Sequence, residues 1–164
     1  MCMTNLNATM LFCSMIENNE DNVIFLNGIY DSIVPIRENN MYYLDKFNIV
    51  LNCCIIFDEK YKVQDNCIQL DKEYEFMIRL AHVESGLGIT LYKSELYIEQ
   101  NDLRTWCKNF YEFKRFIKFP KIEIPKGLGN YAVKLLIREK TESDTPWNNQ
   151  TIHSLVIGES RSEI

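Results

Sequence analysis

The segment FYEFKRFIKFPKIEIPKGLGNYAVKLLI, residues 110–137, admits few folds. In its second half Tyr131, Val133, Leu135 and Ile137 share one phase, while Ala132, Lys134, Leu136 and Arg138 share the other. A period of two belongs to a strand, because successive side chains leave a pleated backbone on opposite faces. The first half is aromatic-rich and alternates in the same way. Pro120, Pro125, Gly127 and Gly129 make the connection, with Ile122 and Ile124 in an extended stretch between the prolines. Two alternating runs joined by a Pro/Gly segment put the chain in the β class.

The same pattern recurs along the chain. Residues 46–57 place Phe47, Ile49, Leu51, Cys53, Ile55 and Phe57 on one face, as a central strand packed on a core would. Residues 10–16, apolar on both phases, read as a strand covered on both sides, and with 23–30 they form an N-terminal hairpin around the polar turn ENNEDN. Pro35 marks an edge or a connection. Residues 73–83 and 89–98 form a second hairpin about the turn Ser85-Gly86-Leu87-Gly88, with Tyr74, Phe76, Ile78 and Leu80 inward. Residues 58–72 and 142–150 read as loops, 152–157 as the last strand, and 158–164 as a frayed tail. Around residues 101–109, Asp102 and the spacing of Leu103, Trp106 and Cys107 suggest about two helical turns at most. About eight strands without long intervening helices predict an all-β antiparallel sandwich, Ig-like or C2-like, in one domain spanning 1–164.

Size and charge limit the function classes. A chain of 164 residues can bury a core without metal or disulfide support. Its net charge of -5 argues against a general nucleic-acid binder, which needs a basic footprint. The N-terminus lacks the basic start of a signal peptide and no run is long enough to span a bilayer, so a cytoplasmic location is expected. The six cysteines, Cys2, Cys13, Cys53, Cys54, Cys67 and Cys107, contain no C-x-x-C pair and read as reduced thiols rather than zinc ligands.

The opening VIFLNGIYDSIVP, the strand FNIVLNCCIIFDE, the hairpin YEFMIRLAHVESGLGI and the closing FIKFPKIEIPKGLGNYAVKLLI with IHSLVIG resemble an uncharacterised bacterial domain-of-unknown-function family of small β-sandwiches. The resemblance covers most of residues 10–158. It implies the fold and transfers no activity or functional residue.

No complete catalytic set is legible. His82 and His153 lack a named nucleophile and orienting partner, and read as structural histidines at strand ends. Asp58, Glu59, Asp65 and Asp71 lack the D-x-D spacing of a calcium loop. The two Gly-Leu-Gly motifs lack the Lys-Ser/Thr of a phosphate loop and read as turns. Lys114, Arg115, Lys118 and Lys121 interleave with Phe113, Phe116 and Phe119. In a strand, Lys114, Phe116 and Lys118 share one face, as on an edge strand guarded by lysines or on a surface that anchors a partner. Trp106 and Trp147 lie in non-strand segments, as end plugs or recognition-loop residues. These features suggest a non-enzymatic module, without cofactor or metal, that binds a protein or self-associates. It would be an accessory protein of a bacterial operon or phage. A small-ligand or nucleotide sensor with a pocket at one end of the sandwich is the alternative.

Overall fold

Three apolar rows define the interior: Ile49, Leu51, Cys53 and Ile55; Tyr74, Phe76, Ile78 and Leu80; and Tyr131, Val133, Leu135 and Ile137, all buried. Each is one phase of an alternating strand, and burial removes from water the face that alternation sets aside. The computed structural model describes residues 3–18, 24–29, 32–58, 66–103, 109–141 and 145–158. In chain order its strands are β1 (Leu6–Asn18), β2 (Ile24–Ile29), β3 (Ser32–Ile33), β4 (Ile36–Glu38), β5 (Met41–Leu44), β6 (Asn48–Ile56), β7 (Glu73–His82), β8 (Gly88–Tyr97), β9 (Phe110–Lys118), β10 (Ile122–Glu123), β11 (Gly129–Glu139) and β12 (Asn148–Ile157).

The chain is all-β. The strands form a four-stranded sheet in the order β2-β1-β6-β9, a five-stranded sheet β3-β12-β11-β7-β8, and a three-stranded sheet β10-β5-β4. One sheet curls as a half-barrel. Among the described residues only the β3–β12 pairing is parallel. Both larger sheets contribute to one core, with Phe12, Ile49, Leu51 and Phe113 from the first and Phe76, Leu80, Val133 and Leu155 from the second. Phe76 and Phe113 meet with ring centroids 5.9 Å apart. On the other side Phe12 of β1 takes an edge contact with His153 of β12 at 5.3 Å. Leu44 of the small sheet joins the same cluster.

Two buried asparagines pin strand ends. Asn5 accepts from the Ile68 amide at 2.8 Å and donates to the carbonyls of Ile56 and Ile68, tying the segment before β7 to the end of β6. Asn48 donates to the carbonyls of Cys13 and Ser14, at the end of the β1–β6 register, beyond which β1 pairs with β2 alone. Buried amides persist where such bonds satisfy them.

Several expectations are corrected in detail. β1 is not covered on both faces, since Leu11 and Met15 are exposed. The long strand starts at Asn48 rather than residue 46, because Lys46 holds a left-handed φ of 54°. Gly88 belongs to β8 rather than to the turn before it. Ile122 pairs with Leu44 and is part of a strand rather than a bare connection. The last strand begins at Asn148, inside the segment read as a loop. Of the segment expected to be helical, the described residues show a 3-10 turn at Gln100–Asp102, where Asp102 closes the turn and its carboxylate accepts the Glu99 amide at 2.8 Å; residues 104–108 lie outside the described residues. Strands β3, β4, β5 and β10 went unread because two to four residues carry no measurable alternation. Trp106 and residues 159–164 lie outside the described residues.

The phase assignment is testable. Leu51 is fully buried and Leu11, on the opposite face of the same sheet, is 45% exposed. Leu51→Ala is expected to cost about 2–5 kcal/mol in urea denaturation and Leu11→Ala less than about 1 kcal/mol. Equal costs would contradict the phase.

Candidate binding surface

Strand β9 is the outermost strand of the four-stranded sheet, and among the described residues it pairs with β6 alone. Alternation sends Phe113 and Ile117 into the core and leaves Lys114, Phe116 and Lys118 exposed on the other face. Phe116 is 39% exposed between the two lysines. Neither lysine has an ion-pair partner among the described residues. The register aligns Leu11, Val50 and Phe116 in one row across β1, β6 and β9, so Phe116 ends an apolar row on the outer face. In the rows on either side of it Lys114 lies opposite Asn52 and Lys118 opposite Asn48.

Leu91 and Tyr92 of β8, an edge strand of the second sheet, lie close to β9. Ile78 pairs with Tyr92 and Arg79 with Thr90, which leaves Leu91 as the extra residue of a bulge. A bulge on an edge strand re-aims side chains and breaks the regular ladder. Leu91 and Tyr92 here line a groove of about 400 Å³ together with Arg115, Phe116, Lys118 and Pro120. Arg115 lies over the Phe113 ring at 5.1 Å and donates to the Lys114 carbonyl at 3.2 Å. Its alternation phase is inward, yet its aliphatic stem allows the charged end to reach the edge. Lys121 stands apart, paired with Glu38 and stacked on Tyr43.

Trp147 is not part of this surface. Arg138 sits 4.3 Å from its ring centroid and Lys93 5.7 Å, and both cations pair with Glu75, at 2.8 Å and 3.5 Å. Cation–π contact and ion pairing dock the indole on the outer face of the five-stranded sheet. The Glu75 carboxyl is 12% exposed, and the Arg138 hydrogen bond, more than the Lys93 charge, holds it below the usual carboxylate range.

His82 is buried at the end of β7. The Ser85 amide donates to Nδ1 at 3.2 Å and the ring packs edge-on against Tyr131. The other face of this arrangement is Gly129, at φ 148°, where a Cβ would come 2.7 Å from His82 Nε2. His153 packs on Phe12 as described above. Asp71 holds a left-handed turn at φ 60° with its amide bonded to the Ile98 carbonyl; Glu59 and Asp65 lie outside the described residues. Cys13, Cys53, Cys54 and Cys67 are free thiols, and burial pushes Cys53 up to about 12. Cys2 and Cys107 lie outside the described residues. Among the described residues no group of three or more His, Cys, Asp or Glu side chains is placed to hold a metal ion, and no helix is long and apolar enough to cross a membrane.

Alternation within β9 was enough to bring Lys114, Phe116 and Lys118 together. The groove was not legible, because it depends on which strand of the other sheet lies alongside and on a bulge with no turn residue to mark it. No protein-family model, curated protein or solved structure matches the chain.

Two consequences follow from this geometry. Gly129→Ala is expected to cost about 2 kcal/mol or more through backbone strain and the His82 clash. Adding His82→Ala should recover the clash portion, a coupling of about 1 kcal/mol in a double-mutant cycle; strict additivity would contradict the contact. For Glu75 the folded pKa is lowered, so its stabilisation is full above the unfolded value of about 4.3 and is lost as pH falls through the folded value. Chemical denaturation between about pH 6 and pH 2 should show this loss in wild type, and Glu75→Gln should flatten that part of the profile. An unchanged profile in the variant would contradict the pairing.

Proposed function

We propose that the chain is a non-enzymatic binding module that engages a protein partner along β9, and that the partner supplies an extended, acidic segment. The reading rests on one observation: an edge strand presents Lys114, Phe116 and Lys118 beside an apolar groove floored in part by Leu91 and Tyr92. An extended peptide adds to such an edge through main-chain hydrogen bonds, and alternate side chains confer selectivity. Acidic residues on the incoming segment would face lysines that have no ion-pair partner among the described residues. A second copy fits less well. Antiparallel pairing centred on Phe116 would set Lys114 of one copy against Lys118 of the other, and like charges directly opposite are destabilising.

The same reading takes the two larger sheets as the faces of an antiparallel β-sandwich in the manner of small bacterial domains, working in the cytoplasm. Eight strands of six residues or more, four in each sheet, support it. So does Tyr131, whose hydroxyl donates to the Gly127 carbonyl at 2.6 Å near the start of β11, as the tyrosine corner of Ig-type sandwiches does. The free thiols fit a reducing compartment.

Selection of random extended peptides displayed against the purified protein tests the partner chemistry. The enriched peptides should alternate Asp or Glu with apolar residues. They should bind wild type saturably and lose at least about tenfold in affinity for a Lys114→Glu, Lys118→Glu variant that remains folded. Peptides that bind this variant and Phe116→Asp as well as wild type would overturn the proposal. Turnover of a metabolite or nucleotide by the purified protein would overturn its non-enzymatic part.

A further inference from the structure

A second surface, on the outer face of the five-stranded sheet, carries a different chemistry. The register builds two adjacent rows there. One is Gly88, Ala81, Ala132 and Ser154 across β8, β7, β11 and β12; the next is Thr90, Arg79, Lys134 and Ile152. Four small side chains in one row leave a trough, and Ala81 and Ala132 form its floor. Arg79 and Lys134 are direct cross-strand partners beside it. Residues opposite each other in an antiparallel pair have Cβ atoms about 5 Å apart, and like charges there destabilise. Yet among the described residues neither cation has an ion pair or a side-chain hydrogen bond.

This arrangement contrasts with the next rows of the same face. There Glu75 takes Arg138 and Lys93, and Glu95 takes Lys140. Carboxylates neutralise the cations at one end of the face and are missing from the pair at the other, so the uncompensated charge is local. The pair also lines a cleft rather than a flat surface. Its volume is about 370 Å³, and Ala81, Ala132, the buried His82 and the turn at Gly86 line it. Arg79 is drawn over the trough: its Nε lies 2.9 Å from where a Cβ on Gly88 would sit, so glycine there leaves room for the guanidinium.

We propose that this cleft binds a phosphate group, with Arg79 and Lys134 as the two cations that hold it. A planar guanidinium offers a fork of donors to an oxyanion and an ammonium offers a mobile point charge, a combination suited to a compact dianion. The small-residue floor lets the anion approach the sheet, and the cleft is large enough for a phosphate monoester rather than the bare ion alone. Bound phosphate would also relieve the repulsion between the cations. The site lies on a different sheet from β9 and does not depend on the protein-binding reading.

Titration of the full chain with inorganic phosphate at low ionic strength, followed by backbone amide NMR, tests the proposal. Saturable shifts are expected in β7 and β11 around Arg79 and Lys134, and absent with chloride at the same ionic strength. Arg79→Gln and Lys134→Gln should each weaken binding by about tenfold or more, and Lys126→Gln, an exposed cation away from the cleft, should leave it unchanged. Thermal midpoints near that of wild type show that the variants are folded. A nucleoside monophosphate and phosphoserine, titrated separately, distinguish the two common carriers, and tighter binding of either than of phosphate supports the site. Equal responses to phosphate and chloride, or phosphate binding untouched by Arg79→Gln and Lys134→Gln, would overturn it.

Discussion

The burial of one phase of each long strand in a layer shared by two sheets is the constraint from which the rest follows. Phe76 on β7 and Phe113 on β9 come from different sheets and meet in that layer. Each fully buried aliphatic or aromatic side chain contributes roughly 1.5–3 kcal/mol, and the layer contains many of them. A register slip of one residue would turn a whole row outward, so the core sets the register of β6, β7, β9 and β11 together. The outer faces are then whatever the other phase provides. On β9 that phase is Lys114, Phe116 and Lys118; on β7 and β11 it is Arg79, Ala81, Ala132 and Lys134.

This explains why two cationic surfaces arise on different sheets of one chain with a net charge of -5. The acidic residues that the structure pairs are concentrated at Glu75, Glu95 and Glu139, where they meet Arg138, Lys93, Lys140 and Lys72. That end of the face is internally satisfied and docks Trp147. Among the described residues, the cations without an ion pair include Lys114 and Lys118 on β9 and Arg79 and Lys134 in the cleft. Exposed ion pairs add little stability, so their placement says more about where charge is left free than about what holds the fold.

The long strands were legible because alternation is visible over nine or more residues, as in NIVLNCCII of β6 and GNYAVKLLIRE of β11. The β9 surface was legible for the same reason. Other features depend on pairings that no local pattern encodes. Arg79 and Lys134 are 55 positions apart (134 − 79) and become neighbours only when β7 pairs with β11. Trp147 could be read as an end plug or as a recognition-loop residue, and its contacts with Arg138 and Lys93 depend on where β8 and β11 lie. The bulges at Leu91 and Gln150 arise from small mismatches between strands, and neither carries a glycine to announce it. Gly129 could be read as a turn residue, but its tie to His82 required three-dimensional proximity.

Backbone amide hydrogen exchange along β9, measured residue by residue on the monomer, tests the central claim most directly. A strand paired on one side only should show alternating protection from Lys114 to Lys118, with amides facing β6 slow and those facing away fast. Addition of an acidic extended peptide that binds the protein should slow the fast set. Uniform protection of these amides in the free monomer, or a bound peptide that leaves the fast set unchanged, would contradict β9 as the binding edge.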